Sequence, residues 1–198
     1  MHLIEKATVQ AFHRSRLNGS TIQALGYRSQ ESQTRRFQSL LQLGDFSHCS
    51  VLDLGCGFGD LKAFLDQHYK DFVYLGVDFL KEFIEGAQLR YGELANTQFF
   101  QADFLTVGLP EVDIVIASGS LNYRSENALH PWQSISRMWE AANKGVVFNL
   151  LDAAQFESDE VLRAYDQNEV LNFCRQLDPA TEIISGYLPD DFTVLMRK

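Results

Sequence analysis

An acidic residue followed by three glycines at alternate positions is the stretch of this chain best suited to chemistry. Asp53 stands inside the end of a short apolar run, Gly55, Gly57 and Gly59 follow it, and a helical pattern begins at Asp60. Glycines let the backbone approach a ligand, and the free N–H groups of a helix start face that ligand. The pattern predicts a nucleotide-binding turn. The alternative, a tight turn without a ligand, rarely needs three glycines and an acid.

The spacing of the glycines separates two kinds of nucleotide. A dinucleotide fingerprint G-x-G-x-x-G that began at Gly55 would need its third glycine at position 60, where this chain has Asp60. The pattern present is D-x-G-x-G-x-G. It resembles the first motif of the class I S-adenosylmethionine (SAM) dependent methyltransferases. A nicotinamide-dependent oxidoreductase on a related fold is the alternative.

Two further acidic residues follow Asp53 at regular spacing. Asp78 ends the apolar run 72–77 and Asp103 follows the run 97–102, so positions 53, 78 and 103 are spaced about one strand–helix–strand unit apart. The carboxyl ends of parallel strands meet at one edge of a sheet, where ligands bind. A carboxylate there can accept hydrogen bonds from a ribose diol. Asp78 can also cap the helix that follows it, and the two roles are compatible.

Alternating strands and helices make up most of the chain. Strand patterns over 51–54, 72–78, 97–102, 112–118 and 145–151 precede two β runs over 181–187 and 192–197 that predict a hairpin. Helical patterns are predicted over 30–43, 60–69, 80–91, 131–143 and 158–176, the last with a break at Asp166. Five βα units closed by a hairpin resemble the methyltransferase sheet.

The resemblance implies a fold class and a domain organisation. The fold expected is a Rossmann-like α/β sandwich, with a seven-stranded, mostly parallel sheet in the order 3-2-1-4-5-7-6 and an antiparallel last strand. A single domain over residues 1–198 is expected, with an N-terminal helical cap (1–44) on a SAM-binding core (45–198). The Ser118-Gly119-x-x-Asn122 stretch is similar to bacterial members whose substrate is unassigned.

SAM is the cofactor that the resemblance implies, and it also implies which residues hold it. Asp78 would accept from the ribose, Asp103 would accept from the adenine amino group, and Phe104 would pack on the adenine ring. Arg36, in the cap, could hold the carboxylate of SAM. The cofactor contacts expected are Asp53, Gly55, Cys56, Gly57, Gly59, Asp78, Phe79, Asp103, Phe104, Ser118, Gly119 and Arg36.

The residues after the fourth strand should border the transferable methyl group. A general base is needed there only if the acceptor carries a proton of high pKa. His130 is one candidate, although it directly precedes Pro131 and could equally be an exposed helix-start residue. The candidate bases near the expected crevice are His130, Tyr123, Asp152 and Glu126.

Charge narrows the class of acceptor. The formal net charge is -9 and the basic residues are scattered, whereas phosphate binding needs clustered Lys and Arg. The Asn-Pro-Pro-Tyr signature of nucleic-acid amino methyltransferases is missing, as is the Pro-Cys of cytosine C5 enzymes. We therefore expect a neutral or cationic small-molecule acceptor and no nucleic acid. A protein that binds SAM without turnover, as a regulator or partner subunit, is the alternative.

Cysteine use and hydropathy indicate the compartment. The three cysteines, Cys49, Cys56 and Cys174, form no C-x-x-C pair, so buried free thiols and no metal site are expected. No stretch approaches the ~18 apolar residues of a membrane span, and the first residues lack the apolar run of a signal peptide. The chain is expected to be cytoplasmic and to act without a membrane.

Overall fold

The apolar runs form one seven-stranded sheet in the computed structural model, which describes residues 2–198. Its order is β3-β2-β1-β4-β5-β7-β6, and β7 runs antiparallel to both of its neighbours. The predicted fold class is therefore confirmed. The strands are β1 Ser50–Leu54, β2 Val73–Asp78, β3 Thr97–Gln101, β4 Val112–Ser118, β5 Ala142–Leu151, β6 Glu182–Ser185 and β7 Asp191–Arg197.

Alternate residues of the central strands face two separate cores, because successive side chains of a strand point to opposite faces. Leu52 and Val115 pack with helices α6 and α7 on one face, and Val51 and Ile114 pack with α3, α4 and α5 on the other. The α-helices are α1 Leu3–Arg14, α2 Thr21–Ala24, α3 Gln30–Leu40, α4 Asp60–Leu65, α5 Lys81–Tyr91, α6 His130–Ala141 and α7 Gln167–Leu177. Short 3₁₀ turns cover Leu41–Leu43 and Ser120–Asn122.

Two predicted helices differ from the structure. Helix α4 ends at Leu65, four residues early, and residues 158–165 are not helical. There Leu162 makes an isolated bridge with Tyr123, and the Tyr165 hydroxyl donates to the Leu121 carbonyl at 2.8 Å. These tertiary bonds hold the segment extended against the end of the sheet. The break predicted at Asp166 is confirmed: Asp166 is the N-cap of α7, and its carboxylate accepts from the Glu169 N–H.

Within residues 2–198, no helix combines the length and apolar character needed to span a bilayer.

Candidate functional site

The carboxyl ends of β1 to β4 open onto one cavity, which the N-terminal helices cover. It contains about 1440 Å³ of space between atoms, part of it open to solvent. Of the twelve cofactor contacts expected from the sequence, eleven line it: Asp53, Gly55, Cys56, Gly57, Asp78, Phe79, Asp103, Phe104, Ser118, Gly119 and Arg36. The twelfth, Gly59, does not. It is the residue before α4, and its φ of +79° makes the turn into that helix.

The glycine turn is held in place by the neighbouring strand ends. Gly55 has φ +82°, and a Cβ there would meet Ser120 Cβ at 2.3 Å. The Ser120 hydroxyl donates to the Leu54 carbonyl at 2.5 Å, so the close approach is part of the packing. The Gly57 N–H donates to Asp78 Oδ2 at 3.0 Å. At position 55, only glycine both adopts this positive φ without strain and avoids a clash with Ser120.

Asp78 is buried at the end of β2 and engages two backbone groups. Its Oδ1 accepts from the Leu80 N–H at 2.9 Å, next to the start of α5, and its Oδ2 accepts from Gly57. Burial raises the pKa of Asp78 to about 6, although these N–H groups favour the ionised form. Each carboxylate oxygen has a second lone pair, so Asp78 can start the helix and still accept from a ligand.

Asp53 is buried in the wall behind the glycine turn. The Tyr74 hydroxyl donates to its Oδ2 at 2.5 Å. Burial raises the pKa of Asp53 to about 7, an effect that the Tyr74 bond reduces and the nearby Asp78 charge increases.

The Asp53→Asn variant should become more stable relative to the wild type as pH rises. Because the pKa of Asp53 is raised on folding, the native state binds more protons than the unfolded chain between pH 3.8 and about 7, and stability falls across that window. At 1.36 kcal/mol per unit, removing the titration should gain about 2–3 kcal/mol between pH 5 and pH 8. Urea unfolding at both pH values measures it. A gain independent of pH would contradict the prediction, and Asp71→Asn, an exposed exchange, is the control.

Asp103 is paired with a residue that the sequence did not single out. Lys6 Nζ, from α1, lies 2.5 Å from Asp103 Oδ2, and the Leu105 N–H donates to Oδ1 at 3.0 Å. Burial alone would raise the pKa of Asp103, but Lys6 and the Leu105 N–H outweigh it and the pKa is lowered. Helix α1 therefore closes over the end of β3, and the adenine role of Asp103 remains a proposal.

Arg36 lines the cavity but is already paired with an acid. Its Nε and Nη2 donate to Asp191 Oδ2 at 2.9 and 2.6 Å, and its guanidinium carbon lies 5.2 Å from the Tyr27 ring centroid. Among the described residues, Nη1 is its one guanidinium nitrogen without a hydrogen bond to protein. The other two cations of the wall are paired too, Lys6 with Asp103 and Arg28 with Asp190.

Two of the four candidate bases line the cavity. Tyr123 lies in its wall, and His130 is 4% exposed with no hydrogen-bond partner for Nε2 in the described chain. Burial is the main cause that lowers the pKa of His130, and the carboxylates acting on it are Glu5 and Asp103. His130 is therefore buried, against the exposed helix-start alternative, and it lies on the Asp103 side of the cavity.

The other two candidates lie outside the cavity wall, so we do not retain them. Asp152 accepts from Gln167 Nε2 at 2.7 Å and from the Ala154 N–H at 3.0 Å. Glu126 is exposed, with its Oε2 3.1 Å from His2 Nε2. Glu126 also lies close to His2 and Glu5. The backbone N–H groups of residues 2 and 126 donate to the Glu5 carboxylate, and these bonds explain why the three side chains lie together.

Several wall residues come from the first 33 positions, where no motif marked them. His13 lies one turn beyond Val9, and these two are the buried residues of α1. Other wall residues without a sequence signal are Lys6, Phe12, Leu25, Gly26, Phe156, Leu162 and Asp190.

Comparisons with known proteins agree with this geometry. A family model described as a methyltransferase domain matches residues 51–143. The "Putative methyltransferase Rv1506c" of Mycobacterium tuberculosis is 30% identical over 159 residues, which cover 75% of this chain and 93% of that relative. The chain belongs to the class I SAM-dependent methyltransferases.

Solved methyltransferases share the fold over most of the chain. The magnesium protoporphyrin IX methyltransferase ChlM of Synechocystis PCC 6803, with bound S-adenosylhomocysteine (SAH), has a TM-score of 0.73 at 15% identity and covers 98% of this chain and 99% of its own. The N-methyltransferase NodS of Bradyrhizobium japonicum WM9, also with SAH, has a TM-score of 0.72 at 18% identity, and the match covers 96% of this chain and 97% of NodS. The small RNA methyltransferase HEN1 has a TM-score of 0.67 at 14% identity, and the match covers 84% of this chain and 25% of HEN1.

The methyl donor of the family is SAM, and the cavity suits it chemically. A nucleoside needs acceptors for its ribose and amino protons and apolar surface for its base. Asp78 and Asp103 supply carboxylates at adjacent strand ends, and Phe79 and Phe104 supply half-buried rings beside them. The glycine turn, which has no Cβ, leaves room for close approach.

Proposed function

We propose that this methyltransferase transfers a methyl group from SAM to a small-molecule acceptor held in the same cavity. The observation that carries the proposal is the cover formed by the N-terminal cap and the loop near Phe156 and Leu162. Beyond the strand ends, this cover supplies a further wall of side chains. A covered cavity suits a small molecule better than a polymer.

The charge of the wall supports the same class of acceptor. Each Lys or Arg of the wall is paired with a carboxylate within the described chain, so the wall offers no cluster of free cations for phosphates. The fold alone does not determine the class of acceptor. By their names, ChlM acts on magnesium protoporphyrin IX and HEN1 acts on small RNA, although both share this fold. The net charge of -9 adds to the support for a neutral or cationic acceptor.

We assign the cofactor contacts as part of this proposal. Asp78 accepts from the ribose, Asp103 accepts from the adenine amino group beside Lys6, and Phe104 packs on the base. Arg36 donates through Nη1 to the amino-acid carboxylate. The main-chain turn at 118–119 borders the methyl group.

The residues of the chain act mainly by alignment and by exclusion of water. Bound SAM supplies a sulfonium methyl that is already activated. The cap and the strand ends then have to hold the acceptor in line with it, and positioning of this kind can supply roughly 7–11 kcal/mol. The apolar rings of Phe12 and Phe156, which line the cavity, favour a water-poor environment.

Thermal unfolding tests the cofactor assignment. SAH at a hundred times its Kd should stabilise the protein by about 2.7 kcal/mol, which raises the Tm by several degrees for a chain of this size. NADH at the same concentration should leave the Tm unchanged. A shift with NADH and none with SAH would favour the oxidoreductase alternative.

Label transfer tests the acceptor class. The protein is incubated with SAM carrying a deuterated methyl group and with cell extract divided into small-metabolite, RNA and protein fractions. We expect the label in the small-metabolite fraction, detected by mass spectrometry. Label found only in RNA or protein would contradict a small-molecule acceptor. SAH binding without any transfer would favour the non-catalytic alternative.

A further inference from the structure

His13, which no motif of the sequence indicated, forms a hydrogen-bonded pair with the half-buried Tyr123 in the cavity wall. His13 is 4% exposed and packs edge-on against the rings of Phe12, Phe83 and Tyr123, with centroids 5.0–5.6 Å away. Its Nδ1 lies 2.6 Å from the Ala24 carbonyl oxygen, and its Nε2 lies 2.6 Å from the Tyr123 hydroxyl. Both ring nitrogens are therefore engaged.

The Ala24 carbonyl decides the direction of both bonds. A carbonyl oxygen can only accept, so Nδ1 carries the hydrogen, and in neutral imidazole the other nitrogen is then an acceptor. Burial and the charge of Arg16 lower the pKa of His13, although the Ala24 bond acts in the opposite direction. The lowered pKa keeps the ring neutral near pH 7. The Tyr123 hydroxyl must therefore donate to His13 Nε2.

This direction leaves the Tyr123 oxygen as an acceptor toward the cavity. His13 is the one described group hydrogen-bonded to Tyr123 Oη, and Tyr123 lines the cavity. Its proton is occupied by His13, so its lone pairs are the part available to a ligand. A ligand that faces them gains a bond only if it donates an O–H or N–H.

We propose that Tyr123 receives the proton of the methyl acceptor and that His13 positions Tyr123 and takes up the tyrosine proton. The acceptor is then a molecule with an O–H or N–H at the methylated atom. The proposal rests on the proposed function. Tyr123 is the catalytic residue, and His13 is a positioning residue that acts through it.

The step balances in atoms and charge. The bond from the acceptor oxygen or nitrogen to the methyl carbon forms as the carbon–sulfur bond breaks, and that electron pair stays on sulfur. The acceptor proton moves to Tyr123 Oη while the Tyr123 proton moves to His13 Nε2. The positive charge of the sulfonium thus ends on His13, which releases its extra proton to solvent when the product leaves. General-base assistance of this kind contributes about 10²–10⁴-fold in rate.

Nitrogen-15 NMR of the histidine rings tests the pair without an acceptor. In the SAH complex near pH 7, we expect His13 to be neutral with its hydrogen on Nδ1. The Tyr123→Phe variant should shift the Nε2 resonance of His13 and leave that of exposed His48 in place. A hydrogen on Nε2, or an Nε2 resonance that does not respond to Tyr123→Phe, would overturn the proposal.

Label transfer to the small-metabolite fraction then separates catalysis from folding and cofactor binding. Tyr123→Phe and His13→Gln should each slow transfer at saturating SAM by at least a hundredfold, while the SAH dissociation constant stays within about threefold of the wild type. His48→Gln is the matched control. Three results would each overturn the proposal: Tyr123→Phe transfers label at the wild-type rate, Tyr123→Phe loses its affinity for SAH, or the methylated atom of the acceptor carried no proton.

The two levels of inference fail in different ways. If the wild type binds no SAH or labels nothing, the proposed function fails, and this proposal fails with it. If the wild type transfers label but the variants do too, only the role of the pair is wrong. Tyr123→Phe removes only one oxygen atom, so we expect this variant to fold. The test can then be decided with Tyr123→Phe even if His13→Gln does not fold.

Discussion

Replacing Asp78 with asparagine should raise the dissociation constant for SAH by about a hundredfold. The carboxylate is buried and accepts from Gly57 and Leu80 through separate oxygens. An amide can accept through one oxygen only, so the variant loses a backbone bond and turns a donor toward one of these groups. It also presents fewer lone pairs to a ribose. Hydrogen bonds to a charged group are worth about 1.5–3 kcal/mol each, and 1.4 kcal/mol is tenfold in affinity.

Isothermal titration with SAH measures this effect, and Asp71→Asn is its matched control. Asp71 undergoes the same exchange on an exposed surface, where its Oδ2 lies 4.0 Å from His48 Nδ1, so the affinity of Asp71→Asn for SAH should equal that of the wild type. Wild-type affinity should also weaken as pH falls through about 6, because burial raises the pKa of Asp78 to that value and the protonated acid accepts fewer bonds. Affinity unchanged in Asp78→Asn would remove Asp78 from the site.

Gly55→Ala should destabilise the folded protein by about 2–5 kcal/mol. Two costs combine at this position. A residue with a side chain is strained at φ +82°, at roughly 1–2 kcal/mol, and the new Cβ would lie 2.3 Å from Ser120 Cβ, where overpacking costs about 1–3 kcal/mol. Ser120 cannot easily withdraw, because its hydroxyl is bonded to Leu54. Urea unfolding of the protein without ligand measures the loss.

Two other glycines separate these costs. Gly186 has φ +84° with no atom within 4 Å of a built Cβ, so Gly186→Ala should show the conformational cost alone. Gly108 also has open space around it and is not in the left-handed region, so Gly108→Ala should change stability little. If Gly55→Ala cost no more than Gly186→Ala, the contact with Ser120 would be irrelevant to stability.

The sequence determined the sheet and the edge at which the cavity opens. Near-continuous apolar runs are required of parallel strands buried on both faces. Asp53, Asp78 and Asp103 recur at a constant interval, within, at or just after the ends of three of those runs. Because this signal is local and periodic, it survives without knowledge of tertiary contacts. The family resemblance that this signal supports implied the strand order and eleven of the residues that line the cavity.

Only the tertiary structure decided what the cap does. Lys6 on Asp103, Arg36 on Asp191 and His13 on Tyr123 join residues that are far apart in sequence, and no short-range pattern specifies such pairs. Other long-range bonds, the bridge between Tyr123 and Leu162 among them, hold residues 158–165 extended against a helical pattern. The strand-end wall of the cavity is thus predicted by strand periodicity, whereas the covering wall depends on how the first helix docks across the sheet.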